Sequence, residues 1–256
     1  MPPDKVRIRS RAPEAAGVGR RRLLQALPAV ALLGVAARAE AADVPELALA
    51  CDTTLGPALR AVAAAYANAT GVRVSVFPTA PGLILPQLER QVQNDIVVTQ
   101  PATLTAAMQA GVVGQGAVRG AWRDPLVIAV KNGASAAADL PIAVCDPTAA
   151  SDMDGPAILA RLGLSEPTLG VIDTDTVAAL VLNGTARAGL LHQTDLRAHP
   201  ELQVMRAVPA EVQPPIAYAA AVTTLARRPD PAGFVAFLLT GPATALLASH
   251  GLETAS

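Results

Sequence analysis

The feature that most constrains this chain is an alternation of short apolar runs with helical stripes, gone through twice. Glu46-Leu-Ala-Leu-Ala-Cys51 is the length of a buried strand, and apolar residues at 55, 58, 59, 62, 63 and 66 then share one helical face. Residues 71–77 alternate as a second strand, 83–92 read as a helix, 95–99 as a third strand and 104–110 as a third helix. The pattern restarts with strands at 125–130, 141–145 and 169–172, with a helix at 155–162 before the last of them. A helix at 177–183, strands at 188–192 and 203–208, an extended return at 215–222 and two final helices at 231–239 and 242–250 complete it. Such alternation predicts mostly parallel sheets covered by helices, an α/β chain. We assign residues 42–124 plus 217–256 to lobe 1 and 125–216 to lobe 2. Two chain crossings between lobes imply a hinge and a cleft. No internal repeat stands out.

The first 41 residues read as an address. Arg20, Arg21 and Arg22 precede Leu23-Leu24, an uncharged stretch runs to Ala37, and Ala39-Glu40-Ala41 is a small-x-small cleavage pattern. Gly19-Arg-Arg-Arg-Leu-Leu fits a twin-arginine export signal cut near Ala41, with an ordinary secretory signal or an anchor helix as the alternatives. The uncharged run is short for a bilayer crossing, and no other segment reads as a span. A periplasmic location follows from this reading.

Removing that segment takes away eight of the 20 basic and three of the 21 acidic residues, leaving 12 against 18 and a net charge of −6. An acidic mature chain argues against nucleic acid or an anionic membrane as partner, since both are recognised through basic patches. Any anion must then be caught by local geometry. Hydrophobic residues make up 52% of the chain, enough for a sizeable core of Ala, Val and Leu.

No G-x-S-x-G, H-E-x-x-H or G-x-x-x-x-G-K-[ST] motif is present, and no paired carboxylates sit in a recognisable catalytic pattern, so the chain is read as a non-enzyme without cofactor. Gly114-x-Gly116-x-x-x-Gly120 follows a helix and opens no new one, which makes it a loop rather than a dinucleotide site. The two cysteines, Cys51 and Cys145, admit a disulfide, a metal site or plain burial; without C-x-x-C, zinc-ribbon and thioredoxin readings fail.

Ordered landmarks over residues 46–253 resemble the periplasmic molybdate-binding proteins. Thr70-Gly71-Val72-Arg73-Val74 is similar to that family's "E-T-G-V-K-V" strand entry, Asn94-Asp95-Ile96-Val97-Val98 to its "A-D-V-F-I" strand, and Asp146-Pro147 to its "G-D-P" turn. Ala188-Gly189-Leu190-Leu191 is similar to its "A-G-I-V" strand, and Pro214-Pro215-Ile216-Ala217-Tyr218-Ala219-Ala220-Ala221 to its "P-P-I-V-Y-P-A-A" return strand. The resemblance implies two Rossmann-like lobes joined by two crossing strands, the type II periplasmic binding protein fold. It further implies a monomeric receptor that captures a small inorganic ion, closes around it and presents it to a membrane ABC permease.

In that family an oxyanion is held by hydroxyls and by backbone N–H groups at helix N-termini. Carried onto this chain, the resemblance implies Thr54 for the first hydroxyl with Thr53 assisting, and Thr79 for the second, one residue uncertain against Ala80. The "V-P-A-G" turn becomes Ala150-Ser151-Asp152-Met153, the "N-V-R" segment becomes Asp173-Thr174-Asp175, and the binding tyrosine becomes His192. Asp152, Thr174 and His192 thus complete the expected ligand set. An ionised Asp52 aimed at an anion would repel it by roughly 4 kcal/mol at about 4 Å, so the oxyanion reading requires Asp52 to point away. The same replacements leave a second reading open: Cys51, Asp52, Cys145 and His192 as ligands for zinc, copper or nickel, in a transport receptor or metallochaperone.

Overall fold

A computed structural model describes residues 46–133, 140–146, 153–164, 168–228 and 230–254. The proposed address at 1–41 and the expected ligand Asp152 lie outside the described residues. Strand β1 (Glu46–Asp52) runs parallel to β2 (Arg73–Thr79) and β3 (Ile96–Thr99). A 3-10 turn over Thr53–Leu55 leads into α1 (Gly56–Thr70), which carries Pro57 in its first turn, where the missing N–H costs nothing. Helix α1 ends on Gly71, whose φ of 76° places it in the left-handed region that a Cβ disfavours. Its buried face, Ala58, Leu59, Val62, Ala63 and Tyr66, is the stripe expected from the sequence. Tyr66 meets Phe234 edge-on at 5.2 Å.

Helices α2 (Pro81–Glu89) and α3 (Pro101–Gln109) follow β2 and β3. Then β4 (Arg119–Asp124) and β5 (Leu126–Lys131) form the first crossing. Residues 119–124 carry no strand signal in the sequence, because Arg119-Gly-Ala-Trp-Arg-Asp124 offers neither an apolar run nor a clear alternation; pairing with a neighbour makes it a strand. The second half contains β6 (Ile142–Cys145), α4 (Gly155–Arg161), β7 (Thr168–Val171), α5 (Thr174–Leu182), β8 (Ala188–His192), the short α6 (Asp195–Ala198) and β9 (Leu202–Ala207). The chain returns through β10 (Ile216–Val222), then α7 (Pro231–Phe237), α8 (Gly241–Ser249) and the two-residue β11 (Glu253–Thr254).

Two sheets result, ordered β11-β4-β10-β3-β1-β2 and β7-β6-β8-β5-β9. They are mixed rather than mostly parallel. In each, three parallel strands (β2-β1-β3 and β7-β6-β8) are joined by a strand that arrives from the other half and runs antiparallel, β10 beside β3 and β5 beside β8. A strand entering from the opposite lobe must point the other way. The two halves thus repeat one topology although the sequence shows no repeat, since topology needs only matching hydrophobic periods.

Asp95 ties the base of the first sheet together. Its carboxylate, fully buried, accepts the N–H groups of Ala48 at 2.8 Å and Arg227 at 3.0 Å, while its backbone N–H donates to the Ala48 carbonyl at 2.8 Å. No single described helix is long and apolar enough to cross a membrane; only α7 and α8 taken together, bent by 68°, reach that length and composition.

Candidate functional site

In an open α/β sheet the loops leaving the carboxyl ends of neighbouring strands diverge where the strand order reverses, and that opens a crevice. Here the carboxyl ends of β1 and β2 in the first sheet and of β6, β7 and β8 in the second face one another. Between them lies a cavity of about 140 Å³, lined on one side by Thr53, Thr54, Ala80 and Pro81, and on the other by Cys145, Met153, Ile172, Asp173, Thr174, Asp175 and His192. A water needs only about 10–15 Å³ by the same measure, so a small polyatomic ion is easily accommodated.

Thr53 and Thr54 sit in the 3-10 turn that opens α1, and the Thr54 hydroxyl lies 3.3 Å from the hydroxyl of Tyr218, itself fully buried on β10. Ala80 is the N-cap of α2, and no side chain caps that helix. Thr79 does not line the cavity: its hydroxyl turns back to donate to the Phe77 carbonyl at 3.3 Å, and Ala80 with Pro81 occupies the wall instead. Strand alternation explains this, because neighbouring residues at the end of β2 face opposite ways.

On the other wall, Asp173 is the N-cap of α5, its Oδ1 accepting the Thr176 N–H at 2.6 Å. Asp154 caps α4 in the same manner. Asp175 is largely exposed, with His199 Nε2 at 3.4 Å from its Oδ1. The Thr174 hydroxyl donates to Asp195 Oδ1 at 3.2 Å. His192 ends β8; its backbone N–H donates to Asp195 Oδ2 at 2.9 Å, and its Nδ1 lies 3.5 Å from Asp124 Oδ2. Asp124 is fully buried between the crossing strands and accepts both the N–H and the hydroxyl of Thr194, at 3.2 and 2.6 Å. A buried acidic pair, Asp124 and Asp195, therefore brackets a cleft residue. Sequence reasoning missed both, because nothing in their local motifs marks them: Asp195 reaches His192 from three residues away, and only the pairing of β5 with β8 brings Asp124 there.

Burial pushes Asp124 up to about 6, against the opposing pull of His192 and Thr194, and raises Asp195 for the same reason. The folded value of Asp124 exceeds the ordinary 3.8, so the buried charge costs stability above pH 6, and that cost disappears as the pH falls through 6 toward 4. Between pH 7.5 and 4.5 the unfolding free energy of the wild type is expected to rise relative to D124N by roughly 2 kcal/mol. Urea titrations at several pH values test this; parallel pH profiles for the two proteins would refute it.

Cys51 and Asp52 do not line the cavity. Cys51 is buried, and burial together with Asp52 pushes its thiol up to about 12, which keeps it an unreactive, protonated core residue. Asp52 is buried too, with Thr99 donating to its Oδ1 at 2.6 Å, so it points away as the oxyanion reading requires. Cys51 and Cys145 form no disulfide. Cys145 and His192 do share the cavity wall, but among the described residues no group of three or more His, Cys, Asp or Glu is placed to hold a metal ion.

The fold is that of known binding proteins. It is similar to the periplasmic molybdate-binding protein of Azotobacter vinelandii, with 17% identity, 82% of this chain and 100% of that chain covered, and a TM-score of 0.68. It is also similar to the sulfate-binding protein SubI of Mycobacterium tuberculosis (14% identity, 83% and 88% covered, TM-score 0.62) and to iron-bound HitA of Pseudomonas aeruginosa (16%, 82% and 85%, TM-score 0.57). At such identities the likeness is one of architecture, the type II periplasmic binding protein fold. No curated protein matches the sequence. Residues 47–253 do match a family as a whole, and the chain belongs to the bacterial extracellular solute-binding proteins.

Proposed function

We propose that this protein is the exported receptor of an ABC-type uptake system and that it captures a small tetrahedral oxyanion, with molybdate and tungstate as the reference geometry, in the cleft between its lobes. One observation carries the reading: the 15-residue α1, through its 3-10 turn, and α2 both open onto the cavity with no side chain capping their first N–H groups. Uncapped N-termini concentrate donors and positive potential, which suits an anion in a chain that is acidic overall. Thr53 and Thr54 add hydroxyls on the same wall. A transition-metal cation is less well served, with Cys51 and Asp52 directed elsewhere. The protein then works as a monomer in the periplasm, reached through the signal at residues 1–41, with neither nucleic acid nor cofactor involved.

Ligand contacts made only when the lobes close would shift an open–closed equilibrium toward the form offered to the permease. Thermal unfolding of metal-stripped protein with molybdate, tungstate, sulfate, phosphate, zinc, copper and nickel tests the reading. A bound oxyanion at 100 times its dissociation constant is expected to stabilise by about 2.7 kcal/mol and to reduce the radius of gyration in solution scattering. Stabilisation by a metal alone, or by no oxyanion at any concentration, would sink it.

A further inference from the structure

Both chain crossings meet at one buried carboxylate. Asp124 ends β4, pairs in register with Ile216 at the start of β10, and is separated from β5 by Pro125 alone. On β5, Leu126 pairs with His192, which sets the imidazole beside the crossing with Nδ1 3.5 Å from Asp124 Oδ2. The N–H and hydroxyl of Thr194 hold the Asp124 carboxylate in place. Asp124 does not line the cavity, whereas His192, only 1% exposed, does. Among the described residues that line it, His192 has the only side chain able to carry a positive charge.

The other titratable groups around the imidazole are acids or a thiol. Asp195 on α6 is buried and accepts the His192 N–H, Asp173 and Asp175 stand at the start of α5, and Cys145 ends β6. Every carboxylate favours the protonated ring, and burial opposes it. Asp124, raised to about 6, is mostly ionised at pH 7 and so presents a counter-charge to the ring. Building on the proposal that the cleft binds an oxyanion, we infer that Asp124 is a positioning residue for that ligand: from the crossing it holds His192 as an imidazolium at the cavity wall, where the cation offsets Asp173 and Asp175 and attracts the anion.

Sulfate and molybdate stay doubly charged between about pH 6.5 and 9, so a change of affinity over that range belongs to the protein. In calorimetric titrations with these two ions the wild type is expected to weaken roughly tenfold or more from pH 6.5 to 9. D124N is expected to bind about tenfold more weakly than the wild type at pH 6.5 and to change by about twofold or less up to pH 9. Loss of a negative charge near the cleft would by itself tighten an anion, so the sign separates an effect through His192 from plain repulsion. Tighter binding by D124N, a wild-type slope retained in D124N, or a flat wild-type profile would overturn the inference while leaving the oxyanion reading standing; binding of neither ion at any pH would remove both. The chain has three histidines, so ring NMR of the wild type, assigned with H199Q and H250Q, gives a readout that needs neither ligand nor D124N. The His192 ring is expected to be protonated at pH 6.5 in the free protein; a neutral ring there would overturn the inference.

Discussion

Replacing Ala80 with aspartate is expected to abolish anion binding while leaving the protein as stable as before or slightly more so. Ala80 is the N-cap of α2, on the cavity wall, and its side chain caps nothing. An aspartate there would accept an orphan N–H of the first turn, a gain of about 1 kcal/mol typical of such caps. The same carboxylate would stand in the cleft. A like charge about 4 Å from a bound anion costs about 4 kcal/mol at an effective dielectric of 20, on the order of a thousandfold in affinity. Calorimetry and a melting curve on one preparation separate the two effects. If A80D bound its oxyanion as tightly as the wild type, the α2 N-terminus would not be the anion site, and the central argument for an oxyanion would fall.

The largest loss of stability is expected at Asp95, far from the cleft. D95A would leave the N–H groups of Ala48 and Arg227 without their acceptor at the point where β1, β3 and β10 are tied together. Each orphaned donor costs about 1–3 kcal/mol, giving a total of roughly 2–6 kcal/mol with little effect on intrinsic ligand affinity. D95N, which keeps one acceptor oxygen, should lose about half as much. Urea denaturation midpoints check both; a D95A variant within about 0.5 kcal/mol of wild type would mean that water replaces the carboxylate at no cost.

The signals legible in the sequence were those that depend on neighbours along the chain. The apolar stripe of α1, the short strands and the helix starts all follow from local period, and the observed elements fall close to their expected places. Thr54, Thr174 and His192 are what the resemblance to the molybdate-binding proteins implies, and all three line the cavity. Strand β4 was not legible, since its exposed charges and Gly120 hide a strand whose existence rests on pairing with β10 and β11. Thr79 was expected in the wall that Ala80 occupies, because a one-residue offset at a strand end reverses the direction of a side chain.

What the sequence determined by itself was the class of fold, its two-part plan and a short roster of cleft residues, because hydrophobic period, caps and turn residues act over distances of a few residues. Which carboxylates line the cavity and which face inward was decided by tertiary structure alone. Asp52 turns to Thr99, Asp124 to Thr194, Asp195 to Thr174 and His192, and Asp173 to the first turn of α5. Except for the cap of Asp173 and the His192 N–H three residues before Asp195, these partners are distant along the chain, and a buried carboxylate goes wherever donors are found to offset its desolvation.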